Sequence, residues 1–264
     1  MKIGVAGWGV VGSACGEGFR MLGHKVKIHD PKLKTSLNDL LDTEIVFVCV
    51  PTPEGADGEC DLTIVHDTIR GLKDLDYYGV IALKSTSIPG TTQSLIDQYQ
   101  DKDICFVPEF LRERSALEDF IRNHDLLAVG AASDRAWHRV CEAHAWLPKN
   151  RVKMTPTEAE ILKYYSNTFN ALRVTFANVM YEVCEKLNSD YDTVLNTFLL
   201  RGTASANYLA CGPDMRGYGG MCLPKDTNAM ADLCRQLELP FDLFSTINHD
   251  NEQVKRTVFP GMRQ

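Results

Sequence analysis

One cysteine in this sequence has neighbours that suit a nucleophile, in a segment that runs from Gly217 to Asp226. Glycines precede Cys222, and Pro224 follows it at a position that suits the first turn of a helix. Cys222 would then lie at a helix N-terminus, where the positive end of the helix dipole favours a thiolate. Asp226 is one turn further along the same face, so its carboxylate could hold a water or a substrate hydroxyl beside the sulfur. The alternative is a glycine turn before an ordinary helix with a small buried cysteine.

A glycine-rich turn near the N-terminus has the spacing of a dinucleotide-binding motif. A strand predicted over 2–6 leads into Gly7-Trp8-Gly9-Val10-Val11-Gly12, and a helical pattern follows to Leu22. In this motif the first glycine makes the turn, the second admits a pyrophosphate and the third packs helix against strand. Asp30 ends the next predicted strand, where a carboxylate binds both ribose hydroxyls and repels a 2′-phosphate. We therefore predict NAD binding; the alternative is a glycine turn in another kind of α/β protein.

Strand and helix patterns alternate over residues 1–154, which predicts an N-terminal Rossmann domain with a doubly wound parallel sheet. The predicted strands are 2–6, 25–29, 45–50, 80–84, 104–107 and 126–129. Ligands bind beyond the carboxyl ends of such strands. Four polar residues at those ends are therefore candidate site residues, with helix caps or turn residues as the alternative: Thr52, Thr86, Glu109 and Glu113.

The composition changes near residue 155, and we predict an all-α domain over 155–264 that is built on one long helix. The run 158–187 has no glycine or proline, which predicts a helix about 45 Å long that packs against a partner subunit. We expect Thr157 and Glu160 to form a capping box at its start. Further helices are predicted over about 189–200, from Pro224 onwards, and over about 241–256.

Lys163 and Asn167 are four residues apart on the predicted long helix, so they share one face. An amine and an amide on one face could bind the same oxygen atom. The ordinary alternative is a pair of solvated side chains.

Charge and cysteine content restrict the class of protein. The chain has 264 residues, a net charge of −7 and no basic run, which argues against nucleic acid as a partner. Its nine scattered cysteines include no CxxC, which favours reduced thiols in a cytoplasmic protein over a disulfide framework or a zinc site. The apolar run 45–51 is too short to span a membrane.

Six segments, taken in order, make the chain similar to the UDP-glucose/GDP-mannose 6-dehydrogenase family. They are Gly7 to Gly12, Val50-Pro51-Thr52-Pro53, Lys84-Ser85-Thr86, Pro108-Glu109-Phe110-Leu111-Arg112-Glu113, Glu158-Ala159-Glu160 with Lys163 and Asn167, and Gly217 to Asp226. The fourth and the last are highly specific. The resemblance implies an NAD-dependent four-electron oxidation of the C6 alcohol of a nucleotide sugar to a carboxylate, with UDP-glucose as the expected substrate.

The resemblance also implies a role for each site residue. Cys222 would form a thiohemiacetal and then a thioester, while Lys163 and Asn167 hold the C6 oxygen as it becomes anionic. Asp226 and Thr86 would position a water that takes the hydroxyl proton.

In the same family, a glutamate at the position of Glu109 acts as the base in hydrolysis, and one at Glu113 braces the site near the nicotinamide. The residues expected at NAD are Gly7, Trp8, Gly9, Val10, Val11, Gly12, Asp30, Val50, Pro51, Thr52, Thr86 and Glu113. Those expected at the sugar are Glu109, Phe110, Leu111, Lys163, Asn167, Gly219 and Cys222. No metal site is expected.

The sequence departs from the family at its C-terminus, because nothing in it matches the family's UDP-binding domain. That departure leaves open a non-catalytic NAD-binding or assembly subunit, or an enzyme whose nucleotide-binding domain belongs to another polypeptide. A β-hydroxyacid dehydrogenase, which joins a Rossmann domain to helices and needs no cysteine, is a further alternative. We expect a homodimer through the helix 158–187.

Overall fold

The computed structural model describes residues 1–55, 58–220 and 222–254. The chain forms two compact units, of which the first holds Met1–Gly55 and Cys60–Lys163 and the second begins at Tyr164. The division falls inside a helix, nine residues after the predicted boundary at 154 (163 − 154). The placing of that boundary stays a prediction.

In the described residues, the first unit contains a seven-stranded sheet with the strand order β2-β1-β3-β4-β5-β6-β7. The strands are β1 (Lys2–Ala6), β2 (Lys25–His29), β3 (Ile45–Val48), β4 (Val80–Leu83), β5 (Ile104–Phe106), β6 (Leu126–Ala131) and β7 (Asn150–Met154). The helices are α1 (Val10–Met21), α2 (Thr63–Asp74), α3 (Thr91–Tyr99), α4 (Ala116–Ile121) and α5 (Asp134–Ala143). The α/β prediction is confirmed.

The sequence pattern predicted a parallel sheet, but one pair of neighbouring strands in the structure is antiparallel. Strands β1 to β5 are parallel, but β6 pairs with β5 in the antiparallel sense. The link between them contains a short 3-10 turn and the short helix α4, whose Phe120 packs onto Gly18 of α1. Because an antiparallel strand starts at the edge where its neighbour ends, no crossover is needed there.

Helices cover both faces of the central strands, so every residue of β3 and β4 is buried. Phe19, Phe47 and Phe120 belong to the core on one face, and Ile81 and Phe106 to the core on the other. The sequence analysis did not predict strand β7. This strand is the last in the sheet, so only one of its edges is paired, and its residues do not alternate between buried and exposed.

The long helix α6 runs from Pro156 to Lys186, close to the predicted range. Its capping box is formed by Thr155 and Glu158, so the prediction of Thr157 with Glu160 was wrong: the Thr155 N–H donates to Glu158 Oε2 at 2.8 Å. Glu160 is fully buried, and its carboxylate accepts hydrogen bonds from the N–H groups of Gly90 and Thr92. Burial raises the pKa of Glu160, which these hydrogen bonds only partly offset.

Most of α6 belongs to the second unit, together with α7 (Tyr191–Leu199), α8 (Leu223–Gln236) and α9 (Leu243–Glu252). An irregular loop over 201–220 leads towards α8, as predicted. Residues 255–256 of the last predicted helix lie outside the described residues. Within the part of the chain that is described, no helix has the length and apolar character needed to cross a membrane.

Candidate active site

The glycine turn between β1 and α1 has the backbone that its sequence motif requires. Gly7 has a φ of +92°, which favours glycine. A Cβ on Gly12 would lie 1.9 Å from the carbonyl oxygen of Gly7, so only glycine lets the helix approach the turn this closely. A Cβ on Gly9 would meet nothing within 4 Å, and no side chain caps α1 at that residue. The turn therefore leaves space and backbone N–H groups for a phosphate.

Asp30 lies beside this turn and is held by backbone N–H groups. The N–H of Trp8 donates to Oδ2 of Asp30 at 2.7 Å, and that of Lys32 donates to Oδ1 at 2.8 Å. The pKa of Asp30 is lowered, chiefly by the hydrogen bond from Trp8. The glycine turn and an ionised carboxylate together fit the adenosine half of NAD. The Trp8 ring packs against Gly16 of α1.

The ends of the neighbouring strands β3 and β4 are tied together. Ser85 Oγ donates to the carbonyl of Val50 at 2.7 Å. Thr52 is buried and Thr86 half-buried, whereas Pro51 is exposed. The thiol of Cys60 donates to the carbonyl of Thr86 at 3.6 Å. Strand β3 ends at Val48 rather than at Val50, so the 50–52 segment forms a loop at the carboxyl edge of the sheet.

Glu109 and Lys163 form a buried ion pair in the first unit. Lys163 Nζ lies 2.7 Å from both Oε1 and the backbone oxygen of Glu109, and the two side chains are 5% and 8% exposed. Leu111 N–H donates to Oε2 of Glu109 at 2.8 Å. Burial alone would raise the pKa of Glu109, but the ammonium of Lys163 and these hydrogen bonds outweigh it, so the pKa is lowered. Glu109 is thus an ionised carboxylate.

The segment after Glu109 is anchored by a buried acid on α4. Asp119 accepts hydrogen bonds from the backbone N–H and the guanidinium of Arg112 and from the Ser115 hydroxyl. The guanidinium of Arg112 lowers the pKa of Asp119. Lys163 Nζ lies over the ring of Phe110, 5.9 Å from the ring centroid. Glu113 is the first residue of a short 3-10 turn.

Cys222, Asp226 and Asn167 come together in the second unit. Cys222 is exposed and is the N-cap residue of α8, and Pro224 is in the first turn. The Asp226 N–H donates to the backbone oxygen of Cys222 at 2.8 Å. Asp226 itself is 1% exposed, and Asn167 Nδ2 donates to its Oδ2 at 2.5 Å. The thiol therefore lies one helical turn from a buried carboxylate that an amide holds in place.

The exposure of Cys222 excludes the alternative of a small buried cysteine at this turn. None of the nine cysteines, all of which are described, is in a disulfide bond. A Cβ on Gly219 would meet nothing within 4 Å, so this glycine borders open space. Among the described residues, no group of three or more His, Cys, Asp or Glu side chains could hold a metal ion.

Family models match both parts of the chain. The NAD-binding domain of the UDP-glucose/GDP-mannose dehydrogenase family matches residues 27–146, and the central domain of that family matches residues 157–253. The chain belongs to the UDP-glucose/GDP-mannose dehydrogenase family. The predictions of the family and of NAD as the cofactor are confirmed.

Named relatives of this family member are longer than the chain. The UDP-glucose 6-dehydrogenase TuaD of Bacillus subtilis is 29% identical over 297 residues, which cover 96% of this chain and 63% of TuaD. The UDP-glucose 6-dehydrogenase of Rickettsia felis is 31% identical over 224 residues, which cover 82% of this chain and 49% of that protein. The chain therefore spans about half to two thirds of the length of these curated relatives.

Solved structures share the fold. A UDP-glucose dehydrogenase from Pyrobaculum islandicum is 28% identical, with a TM-score of 0.86 over 96% of this chain and 68% of that one. A 3-hydroxyisobutyrate dehydrogenase from Mycobacterium tuberculosis is 14% identical, with a TM-score of 0.74 over 96% of this chain and 92% of that one. The second likeness concerns the fold alone.

Two charged residues beside the predicted site were missed by sequence reasoning. Lys225 Nζ lies 2.7 Å from Oδ1 of Asp226, although without the angle of a hydrogen bond. Adjacent residues of a helix do not usually face each other, so the spacing gave no sign of this pair. Asp119 and Arg112 are seven residues apart in the sequence, and their ion pair depends on how the α4 segment folds.

Proposed function

We propose that this family member carries the catalytic core of an NAD-dependent nucleotide-sugar 6-dehydrogenase, with UDP-glucose as its substrate. The observation that carries the proposal is the exposed thiol of Cys222 at the N-terminus of α8, one turn from the buried pair Asp226–Asn167. The relatives named UDP-glucose 6-dehydrogenase support the choice of sugar nucleotide.

NAD, when bound, would supply a hydride acceptor for each of two oxidation steps. The glycine turn would hold its pyrophosphate and Asp30 its ribose, with Thr52, Thr86 and Glu113 nearer to the nicotinamide. In the first step, Asp226 and Thr86 would position a water that takes the proton of the C6 hydroxyl. An aldehyde would result.

Cys222 would act on that aldehyde. Its thiolate adds to the carbonyl carbon, and the C6 oxygen becomes anionic in the thiohemiacetal. The Lys163 ammonium and the Asn167 amide would stabilise this oxygen. Loss of the second hydride leaves a thioester, whose carbonyl carbon is then attacked by water.

Glu109 suits the last step because it is already ionised at neutral pH, as its lowered pKa requires. As a general base it would take a proton from the attacking water. The C–S bond then breaks, the thiolate of Cys222 leaves, and the sugar carboxylate is released. Phe110, Leu111 and Gly219 would line the sugar pocket.

A homodimer through α6 belongs to the same proposal. This helix exposes large apolar side chains at spacings of three, four and seven residues: Tyr165, Phe169, Phe176, Val179 and Val183. An exposed apolar face of this extent marks an interaction surface. A second copy of the chain would cover it. A separate polypeptide that carries a nucleotide-binding domain is the other proposed partner.

The test is NADH formation by the purified chain with UDP-glucose, and with other UDP- and GDP-sugars in parallel. We expect two NADH per UDP-glucose, and loss of this yield in Cys222→Ala. The matched control is Cys141→Ala, which removes a half-buried thiol of the first unit and should leave the yield unchanged.

Other outcomes would assign a different function. NAD binding by calorimetry without nucleotide-sugar binding or turnover would indicate a non-catalytic NAD-binding subunit. A β-hydroxyacid dehydrogenase, the alternative that the sequence left open, is the second candidate. Oxidation of 3-hydroxy acids that is unaffected by Cys222→Ala would establish that function instead.

A further inference from the structure

The loop that leads to Cys222 is held by the amide groups of two buried asparagines, Asn178 and Asn251, which we call the asparagine clamp. Asn178 is on α6 and is 4% exposed, while Asn251 is on α9 and is 2% exposed. All of these residues belong to the second unit. Neither asparagine belongs to the segments that carry the family resemblance.

Asn251 binds both backbone groups of one loop residue. Its Oδ1 accepts a hydrogen bond from the N–H of Tyr218 at 2.8 Å, and its Nδ2 donates to the carbonyl oxygen of Tyr218 at 2.9 Å. A neighbouring β-strand would make the same pair of bonds. The side-chain amide thus satisfies both backbone groups of this buried loop residue, as a strand partner would.

Asn178 binds the residues just before Tyr218. Its Oδ1 accepts hydrogen bonds from Gly217 N–H at 3.1 Å and from Arg216 Nε at 2.8 Å. Its Nδ2 donates to the carbonyl of Val174 in its own helix at 2.8 Å, which fixes the orientation of the amide. Because this amide is buried, a shift of the loop would break these hydrogen bonds and leave buried polar groups unbonded, which opposes such a shift.

The loop needs such external bonds because of its own sequence. Gly217 and Gly220 both have positive φ values, +55° and +76°. Glycines there permit the turn but add conformational freedom that the folded loop must lose. Cys222 follows Tyr218 by four residues, so the point at which α8 begins depends on where the loop is held.

We propose that Asn178 and Asn251 are positioning residues for the Cys222 thiol, acting through the backbone of Gly217 and Tyr218. The inference rests on the proposed function, in which Cys222 is the nucleophile. This positioning role predicts a different experimental result from a general stabilising role. Loss of the clamp should reduce the reactivity of the thiol while the first unit, with its dinucleotide turn, still binds NAD unchanged.

The experiment measures alkylation of Cys222 by iodoacetamide, followed by peptide mass spectrometry, in the full chain with no substrate present. Asn251→Leu keeps the number and branching of the side-chain heavy atoms and removes both hydrogen bonds to Tyr218. Asn178→Asp keeps an acceptor for Gly217 and Arg216, removes the donor to Val174 and adds a negative charge beside Arg216. The control is Asn196→Ala, an exposed asparagine of α7.

In Asn251→Leu we expect alkylation of Cys222 at pH 7 to slow about threefold, because a thiol displaced from the helix N-terminus loses part of the dipole that favours the thiolate. Asn178→Asp should show a smaller change, and Asn196→Ala none. The dissociation constant for NAD should stay the same in all three.

Unchanged alkylation in Asn251→Leu with native circular dichroism would overturn the proposal. If that variant fails to fold, Asn251→Asp, which retains the bond from Tyr218 N–H, decides in the same assay. Because alkylation needs no sugar nucleotide, a chain that fails to oxidise UDP-glucose still gives a result on the clamp. A chain that turns over UDP-glucose but shows no change in alkylation would refute the clamp alone.

Discussion

Removing the ammonium of the buried Lys163–Glu109 pair gives a sharp test of the first unit. In Lys163→Met, the Glu109 carboxylate keeps the hydrogen bond from Leu111 and the weaker attraction of Lys84, and it stays in a site where its side chain is 8% exposed. Breaking a buried pair by removing one partner costs about 3–5 kcal/mol, because a buried charge remains uncompensated. At about 2–4 °C per kcal/mol for a chain of this size, Tm should fall by about 6–20 °C.

The pH dependence of this loss has a defined sign. In the wild type the pKa of Glu109 is lowered, so the pair stabilises the fold above the unfolded pKa of about 4.3 and loses that effect as pH falls. In Lys163→Met, burial without the ammonium should raise the pKa of Glu109. The carboxylate then protonates on mild acidification, and the deficit relative to wild type should be smaller at pH 5 than at pH 7.

Urea unfolding followed by circular dichroism measures both effects. The matched control is Lys153→Met, which breaks an exposed pair with Asp134 and should change the stability little, because solvent screens exposed ion pairs. The double variant Lys163→Met with Glu109→Gln removes both charges and should recover most of the lost stability. The reasoning would be refuted by a Lys163→Met variant that is as stable as Lys153→Met. It would also be refuted by a double variant that is as unstable as Lys163→Met.

Three further predictions concern NAD, acid stability and assembly. Asp30→Asn should weaken NAD binding about tenfold to a hundredfold, as loss of a hydrogen bond to a charged group requires, and should reduce the preference for NAD over NADP in fluorescence titrations. Burial lowers the pKa of His124 from 6.5 to about 4 and lowers that of His144 well below 6.5, so both are neutral in the folded protein. The unfolded state therefore binds more protons below pH 6.5, and the free energy of unfolding should fall between pH 6.5 and about 4, less steeply in His124→Phe. Phe176→Glu should convert a dimer into a monomer in light scattering at micromolar concentration, and a wild-type monomer would contradict the assembly proposed for α6.

Local sequence patterns predicted much of the fold. Strand β1 and the long helix α6 were found within two residues and helix α1 within three, because glycine spacing and the absence of helix breakers are local signals. The pairing of β5 with β6 was not foreseen, since strand direction depends on where the α4 segment packs. The capping box was misplaced by two residues because Thr155 and Thr157 are each followed by a glutamate at the third position.

The sequence predicted which residues belong to the candidate site, but not which of their side chains bind each other. Lys163 and Asn167 were expected to act on the same oxygen, and in the structure each has a separate carboxylate partner. Sequence spacing could not show these partners, which lie 54 and 59 residues away along the chain. The asparagine clamp was missed for the same reason, because the sequence does not show which asparagines are buried or which loop their amides bind.

The most direct test of the central claim is to look for a covalent adduct on Cys222 during turnover. Glu109→Gln should slow hydrolysis, so a sample quenched after mixing with UDP-glucose and NAD should carry the oxidised sugar nucleotide as a thioester on the peptide that contains Cys222. The account predicts that adduct, formed together with two NADH per active site. An adduct-free peptide in a variant that still produces NADH, or undiminished turnover in Cys222→Ala, would contradict it.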